Sequence, residues 1–166
     1  MSQSAKKNEG NQAFVGPEAG DTAPNFKLAI SDEKSISLSD FKGKKVVFYF
    51  YPKDDTPGCT KEAQGFRDLK TEFDKAGAEI IGVSKCSIKK HDKFTEKYDL
   101  NFALGSDENG TVCEDYGTWV EKSMYGKKYM GIERATFLID ESGKIAKVWR
   151  KVKVPGHVED VLESIK

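Results

Sequence analysis

The sequence predicts an α/β fold with a mixed central sheet flanked by helices. Nearly continuous apolar runs of strand length, "KKVVFYFY" and "EIIGVS", alternate with stretches of helical period, as parallel strands covered on both faces do. Further on, "ATFLIDESGKIAKVWRKV" reads as an antiparallel hairpin, and an amphipathic helix closes the chain. Strand, helix, strand, helix, strand, hairpin and helix together require a sheet with both parallel and antiparallel neighbours.

Taken in order, residues 1–20 are polar and glycine-bearing, an expected flexible N-terminal tail, and residues 21–166 form one domain. "APNFKLAI" and "KSISLSDFKG" give two short extended segments around a turn at Ser31 to Lys34. Lys44 to Tyr51 is the first strong strand. From Cys59 to Ala76 the period becomes helical, with Phe66, Leu69, Phe73 and Ala76 on one side and Gly77 as the stop. Glu79 to Ser84 is a second buried strand. Ile88, Phe94 and Tyr98 mark the apolar side of the next helix, on which His91 reads as a partly buried amphipathic side chain. "FALGSD" supplies a third strand and "TVCEDYG" a short helix. Thr118 to Glu133 shows no regular element; its Trp119, Tyr125 and Tyr129 either pack the loop or line a channel. The hairpin turns at "ESG", with Asp140 at its edge, and the last helix follows Pro155 and Gly156 with Val158, Val161, Leu162 and Ile165 on one face.

Composition narrows the function. A chain of 166 residues, 37% hydrophobic and 33% charged, is the size and make-up of one soluble domain. Lys+Arg 27 balances Asp+Glu 27, so no basic excess points to nucleic acid or an anionic membrane surface. No apolar stretch approaches the roughly 20 residues needed to span a bilayer. The N-terminus lacks an apolar signal core and carries Glu9, which argues against a targeting segment. Three cysteines, Cys59, Cys86 and Cys113, form no disulfide framework, and a reducing, cytoplasmic location is expected.

Right-handed crossovers bring the ends of the strands at Tyr51 and Ser84 to one edge of the sheet, where sites in such folds gather. Cys59 lies there, in "YPKDDTPGCTKEAQGF". Thr56 is suited to cap the following helix, Pro57 to its first position, and Gly58 to close approach by another group. That places Cys59 in the first turn, where free N–H groups favour a thiolate. The helix is not sufficient. Lowering a thiol from a pKa of about 8.5 to about 6 takes roughly 3.4 kcal/mol, and a helix terminus supplies about 2 at best. A cation is required, and Arg134, at the start of "ATFLID", is the candidate. Its alternative is an edge arginine paired with Glu133 or Asp140. Glu62, one turn after Cys59, either orients Arg134 or simply interacts with the helix end. Unlike a dithiol motif, the position three residues before Cys59 is Thr56, whose hydroxyl cannot form a disulfide but can hydrogen-bond an oxygen.

"FYFYPKDDTPGCTKE" resembles the peroxiredoxin motif Pro-x-x-x-Thr-x-x-Cys through Pro52, Thr56 and Cys59, and is most similar to the bacterioferritin comigratory, or peroxiredoxin Q, group. The likeness continues through "GDTAPNF", "KYDLNFALGSDENGTVCEDYG" and "GIERATFLIDESGKI". It implies a thioredoxin-like fold and thiol-dependent reduction of hydrogen peroxide and organic hydroperoxides without metal or organic cofactor. Carried over, Cys59 is the peroxidatic cysteine, Thr56 a ligand of the peroxide oxygen, Pro52 the shield over the thiolate and Arg134 the adjacent cation. Thioredoxin, glutaredoxin or a small thiol is the implied reductant, and the protein is expected to be a monomer or weak dimer.

The sequence departs from the group where resolving cysteines usually stand: Gln64 and Thr95 occupy those positions. A one-cysteine mechanism with an external thiol is therefore expected. Cys86, after the neighbouring strand, is the local candidate for a resolving partner, and Cys113 reads as packing. Cys59, Cys86, Cys113 and His91 are too widely spaced for a zinc site. The competing reading is a thioredoxin-fold redox sensor or interaction protein that forms mixed disulfides without efficient peroxide turnover.

Overall fold

The computed structural model describes residues 16–166; most of the expected N-terminal tail, residues 1–15, lies outside the described residues. Two short strands, β1 (Lys27–Ala29) and β2 (Ser35–Ser37), form a small antiparallel pair. The central strand β3 (Lys45–Phe50) follows, then α1 (Pro57–Asp68), α2 (Lys70–Lys75), β4 (Ala78–Ser84), α3 (Ile88–Tyr98), β5 (Ala103–Ser106) and α4 (Val112–Asp115). A hairpin of β6 (Trp119–Met124) and β7 (Lys127–Ile132) precedes β8 (Ala135–Ile139), β9 (Ile145–Trp149) and α5 (His157–Ile165). The main sheet has seven strands in the order β2-β1-β5-β4-β3-β8-β9.

β3 pairs in parallel with β4 and antiparallel with β8, and β4 pairs in parallel with β5. This is the expected mixed sheet, and it explains the unbroken apolar run of β3. Phe48 and Phe50 project into one core with Phe26, Tyr116 and Phe137, whereas Val47 and Tyr49 project into the other with Phe66, Phe73, Phe94 and Val161. A strand buried on both faces has no solvent side on which to place a polar residue. α1, α2, α3 and α5 cover the second face.

Two expectations are corrected. The stretch from Cys59 to Ala76 is not one helix: Leu69, with φ −102° and ψ 10°, separates α1 from α2. Hydrogen bonds from Leu69 N to Gly65 O and from Phe73 N to Leu69 O bridge the break, so the apolar period runs through it undisturbed. Residues 118–133 are not irregular. They contain a two-stranded antiparallel hairpin whose turn places Tyr125 (φ 53°) and Gly126 (φ 81°) in the left-handed region, the two-residue turn that matches strand twist.

Candidate active site

Parallel pairing aligns Phe50 with Val83, and antiparallel pairing aligns Phe50 with Ala135. Tyr51, Ser84 and Arg134, one residue beyond each pairing, are thereby delivered to the same edge of the sheet. α1 starts there. Pro57 occupies its first turn and supplies no N–H that would need a partner. Cys59 follows with 2% of its surface exposed.

Arg134 ties the site together. Its Nη2 donates to Cys59 Sγ at 3.4 Å and its Nη1 donates to Glu62 Oε1 at 2.7 Å. One planar fork thus grips two side chains a helical turn apart. Gly58 eases this approach, since a Cβ there would stand 3.2 Å from Arg134 Nη2 and push the guanidinium back by a few tenths of an ångström. Glu62 is fully buried, and its Oε2 has no hydrogen-bond partner among the described residues. Burial pushes its carboxyl up to about 7 against the opposing pull of Arg134. On Arg134 itself burial works against the charge, yet Glu62 and Cys59 outweigh it and raise its pKa. Of the two sequence readings of Glu62, orientation of Arg134 is the one observed.

Thr56 sits at the N-cap position of α1 but does not cap it, which corrects the expectation. Its Oγ1 instead donates to Lys53 O at 2.9 Å. The first-turn amides are left without a side-chain cap, and with its proton given to Lys53 O the hydroxyl keeps only acceptor capacity. Pro52 is half-buried in the same loop.

All three cysteines are free thiols. Cys86 lies at the active edge, half-buried, with its Sγ accepting from Asp54 N at 3.4 Å. Cys113 is fully buried, and burial together with Asp107 raises its pKa, consistent with packing. Gln64 and Thr95 are on α1 and α3.

Tyr49, Lys122 and His157 were not singled out from sequence, and His91, Trp119 and Tyr125 were read there without their partners. Tyr49 is buried, and burial, then Glu62, Cys59 and Asp54, hold its phenol protonated. Lys122, on β6, lays its side chain against Gly131; burial and Arg134 lower its pKa. His91 is not a partly buried amphipathic residue, because it is 2% exposed and joins Asp54 to Gly105 O. His157 Nε2 meets Thr136 Oγ1 at 2.8 Å, and burial lowers its pKa to about 4. Trp119 packs against the core beneath Lys85, whereas Tyr125 is 98% exposed at the hairpin tip. Tyr125 lines no channel.

Residues 19–148 match the AhpC/TSA family. The chain belongs to the AhpC/TSA family. It is a thiol-dependent peroxidase similar to peroxiredoxins of the bacterioferritin comigratory group, with their thioredoxin-like fold. A putative peroxiredoxin Bcp of Coxiella burnetii is 58% identical over 145 residues, covering 87% of this chain and 96% of that protein. The peroxiredoxin Bcp of Escherichia coli K12 is 48% identical over 149 residues, covering 90% and 96%. A solved structure of the Xanthomonas campestris bacterioferritin comigratory protein, described for its alkyl peroxide reduction activity, has a TM-score of 0.84 at 43% identity. It covers 93% of this peroxiredoxin chain and 96% of its own. No helix among the described residues is long and apolar enough to cross a membrane.

Proposed function

We propose that Cys59 is the peroxidatic thiol and that it reduces hydrogen peroxide and organic hydroperoxides in a one-cysteine cycle closed by an external thiol. The observation that carries this reading is the Arg134 fork on Cys59 and Glu62. A guanidinium beside sulfur favours the thiolate and remains to donate to an incoming oxygen. Sulfur attacks one peroxide oxygen, the O–O bond breaks, and two electrons pass from sulfur to oxygen. Cys59 becomes a sulfenic acid, and the departing alkoxide or hydroxide takes a proton to leave as alcohol or water. Arg134 and the uncapped amides of α1 stabilise the charge on that oxygen. Thr56 Oγ1 accepts from the peroxide O–H, and Pro52 shields the sulfur from bulk water.

For the return half-reaction, a first thiol displaces water from the sulfenic acid to give a mixed disulfide, and a second thiol releases Cys59. The reductant is thioredoxin, glutaredoxin or a small thiol, the protein acting as a monomer or weak dimer in the cytoplasm. Cys59 faces Arg134 at the β8 side of β3, while Cys86 follows β4 on the other side, under the Asp54 loop. That arrangement supports an external thiol over a Cys59–Cys86 bridge.

Stopped-flow oxidation of the reduced protein by one equivalent of peroxide tests both halves. Expected are oxidation far faster than that of free cysteine, its loss in Cys59→Ser, and a mass corresponding to sulfenic acid or its adduct with added thiol. A rate equal to that of free cysteine would exclude the peroxidatic role. A near-complete Cys59–Cys86 disulfide, with turnover lost in Cys86→Ser, would replace the one-cysteine cycle by an intramolecular one.

A further inference from the structure

The loop carrying Thr56 into α1 is tied to α3 by several side-chain contacts, beside its own Thr56 Oγ1 bond to Lys53 O and the bond from Asp54 N to Cys86 Sγ. Asp54, itself buried, accepts from Tyr51 Oη at 2.5 Å and meets His91 Nδ1 at 2.6 Å. The other ring nitrogen, Nε2, lies 3.0 Å from Gly105 O. A carbonyl oxygen can only accept, so Nε2 carries a hydrogen, and a single further proton lies between Nδ1 and the Asp54 carboxylate. Both carboxylate oxygens and both ring nitrogens are thus bonded, which makes the pair a firm anchor. One residue on, Asp55 has φ 61° and accepts from Lys97 Nζ at 2.9 Å and from Tyr98 Oη at 2.7 Å. His91, Lys97 and Tyr98 all belong to α3.

The two half-reactions ask opposite things of the segment that presents Cys59. Attack on peroxide needs Cys59 held against Arg134, and the sulfur is then 2% exposed. Reduction of the sulfenic acid by an outside thiol needs that same sulfur uncovered. The first turn of α1 has no side-chain cap, which leaves Arg134 and the loop before the helix to hold it in place.

We propose that Asp54 and His91 are positioning residues that set the balance between a closed loop, in which Cys59 meets peroxide, and an open loop, in which its sulfenic acid meets the reducing thiol. The proposal rests on Cys59 being the peroxidatic residue. Neither side chain touches substrate; both act through the backbone that presents Thr56 and Cys59. Loosening the anchor slows oxidation of Cys59 and speeds reduction of its sulfenic acid, and it also protects against a second oxidation to sulfinic acid, because the exposed sulfenic acid no longer stays beside Arg134.

His91→Leu removes the bond to Asp54. His91→Asn retains a donor where Nδ1 stands, and Asp54→Asn retains every hydrogen bond with a neutral imidazole. Expected in His91→Leu is a fall of about tenfold in the rate constant for Cys59 oxidation, with a rise of severalfold in that for the sulfenic acid reacting with 2-mercaptoethanol. His91→Asn and Asp54→Asn are expected to stay near the parent protein in both. Should His91→Leu fail to fold, the exposed anchor is removed with Lys97→Met and Tyr98→Phe together, and a smaller split in the same two directions is expected. The two rate constants falling together, neither moving, or His91→Asn behaving as His91→Leu would each overturn the proposal. Wild-type oxidation no faster than free cysteine would instead overturn the peroxidatic assignment on which it rests.

Discussion

At the scale of single residues the site depends on a guanidinium rather than on a positive charge alone. Arg134 binds Cys59 and Glu62 through different nitrogens, a geometry that lysine cannot reproduce with one ammonium. Arg134→Lys is therefore expected to keep part of the thiolate at neutral pH but to slow peroxide reduction, and Arg134→Ala to lose both. Thiolate absorbance titration and stopped-flow oxidation, read side by side, separate the two contributions; equal loss in both variants would contradict a role for the fork. Gly58→Ala tests the same contact from the other side, since its added methyl meets Nη2 at 3.2 Å and is expected to slow oxidation without unfolding the protein. Cys59 and Arg134 stand out in the sequence as candidates because each is betrayed locally, a thiol in a helix start and a cation against an apolar strand; for Glu62, one turn on, the sequence left two readings open, and the contact with Arg134 chose between them. The Asp54–His91 pair was not. Its partners are 37 positions apart, and nothing in the helical pattern of α3 distinguishes a histidine that fills space from one that ties down a loop.

At the scale of elements, the strands and the C-terminal helix followed from apolar periodicity, while the β6–β7 hairpin escaped it. Most of its residues are exposed or half-exposed, so neither face imposes an apolar row. Its turn lacks the Asn-Gly or Asp-Gly pair that would announce it. Tyr125 instead occupies a left-handed conformation while almost wholly exposed. No packing offsets the steric cost of its Cβ there. Tyr125→Asn is accordingly expected to stabilise the protein by about 0.5–1 kcal/mol, read as a raised urea midpoint with unchanged slope and unchanged peroxidase rate. A lowered midpoint would show that the Tyr125 ring has a partner in solution.

At the scale of the whole molecule, two buried titratable groups give stability opposite slopes with pH. Glu62 has its value raised from 4.5 to about 7, so its contribution is full below 4.5 and is lost as pH rises through 7. His157 has its value lowered from 6.5 to about 4, so its contribution is full above 6.5 and is lost as pH falls through 4. Each spans about 3 kcal/mol, and where the two windows overlap, from about 4.5 to 6.5, these two contributions largely cancel. Glu62→Gln is expected to leave the His157 slope alone, making stability climb steadily from pH 4 to 6.5 where the parent protein is flat. Urea unfolding over that range checks it, and parallel curves for the two proteins would rule it out. Separation along the chain also governs when the site is assembled. Arg134 follows Cys59 by 75 positions, with β4, α3, β5 and the hairpin between them. A growing chain exposes Cys59 to the cell well before β8 exists to bring the guanidinium beside it. If Cys59 is the peroxidatic thiol proposed above, its sulfur is an ordinary, slow thiol during synthesis and gains its reactivity toward peroxide only when the last strands dock, by which time the surrounding fold can already cover it.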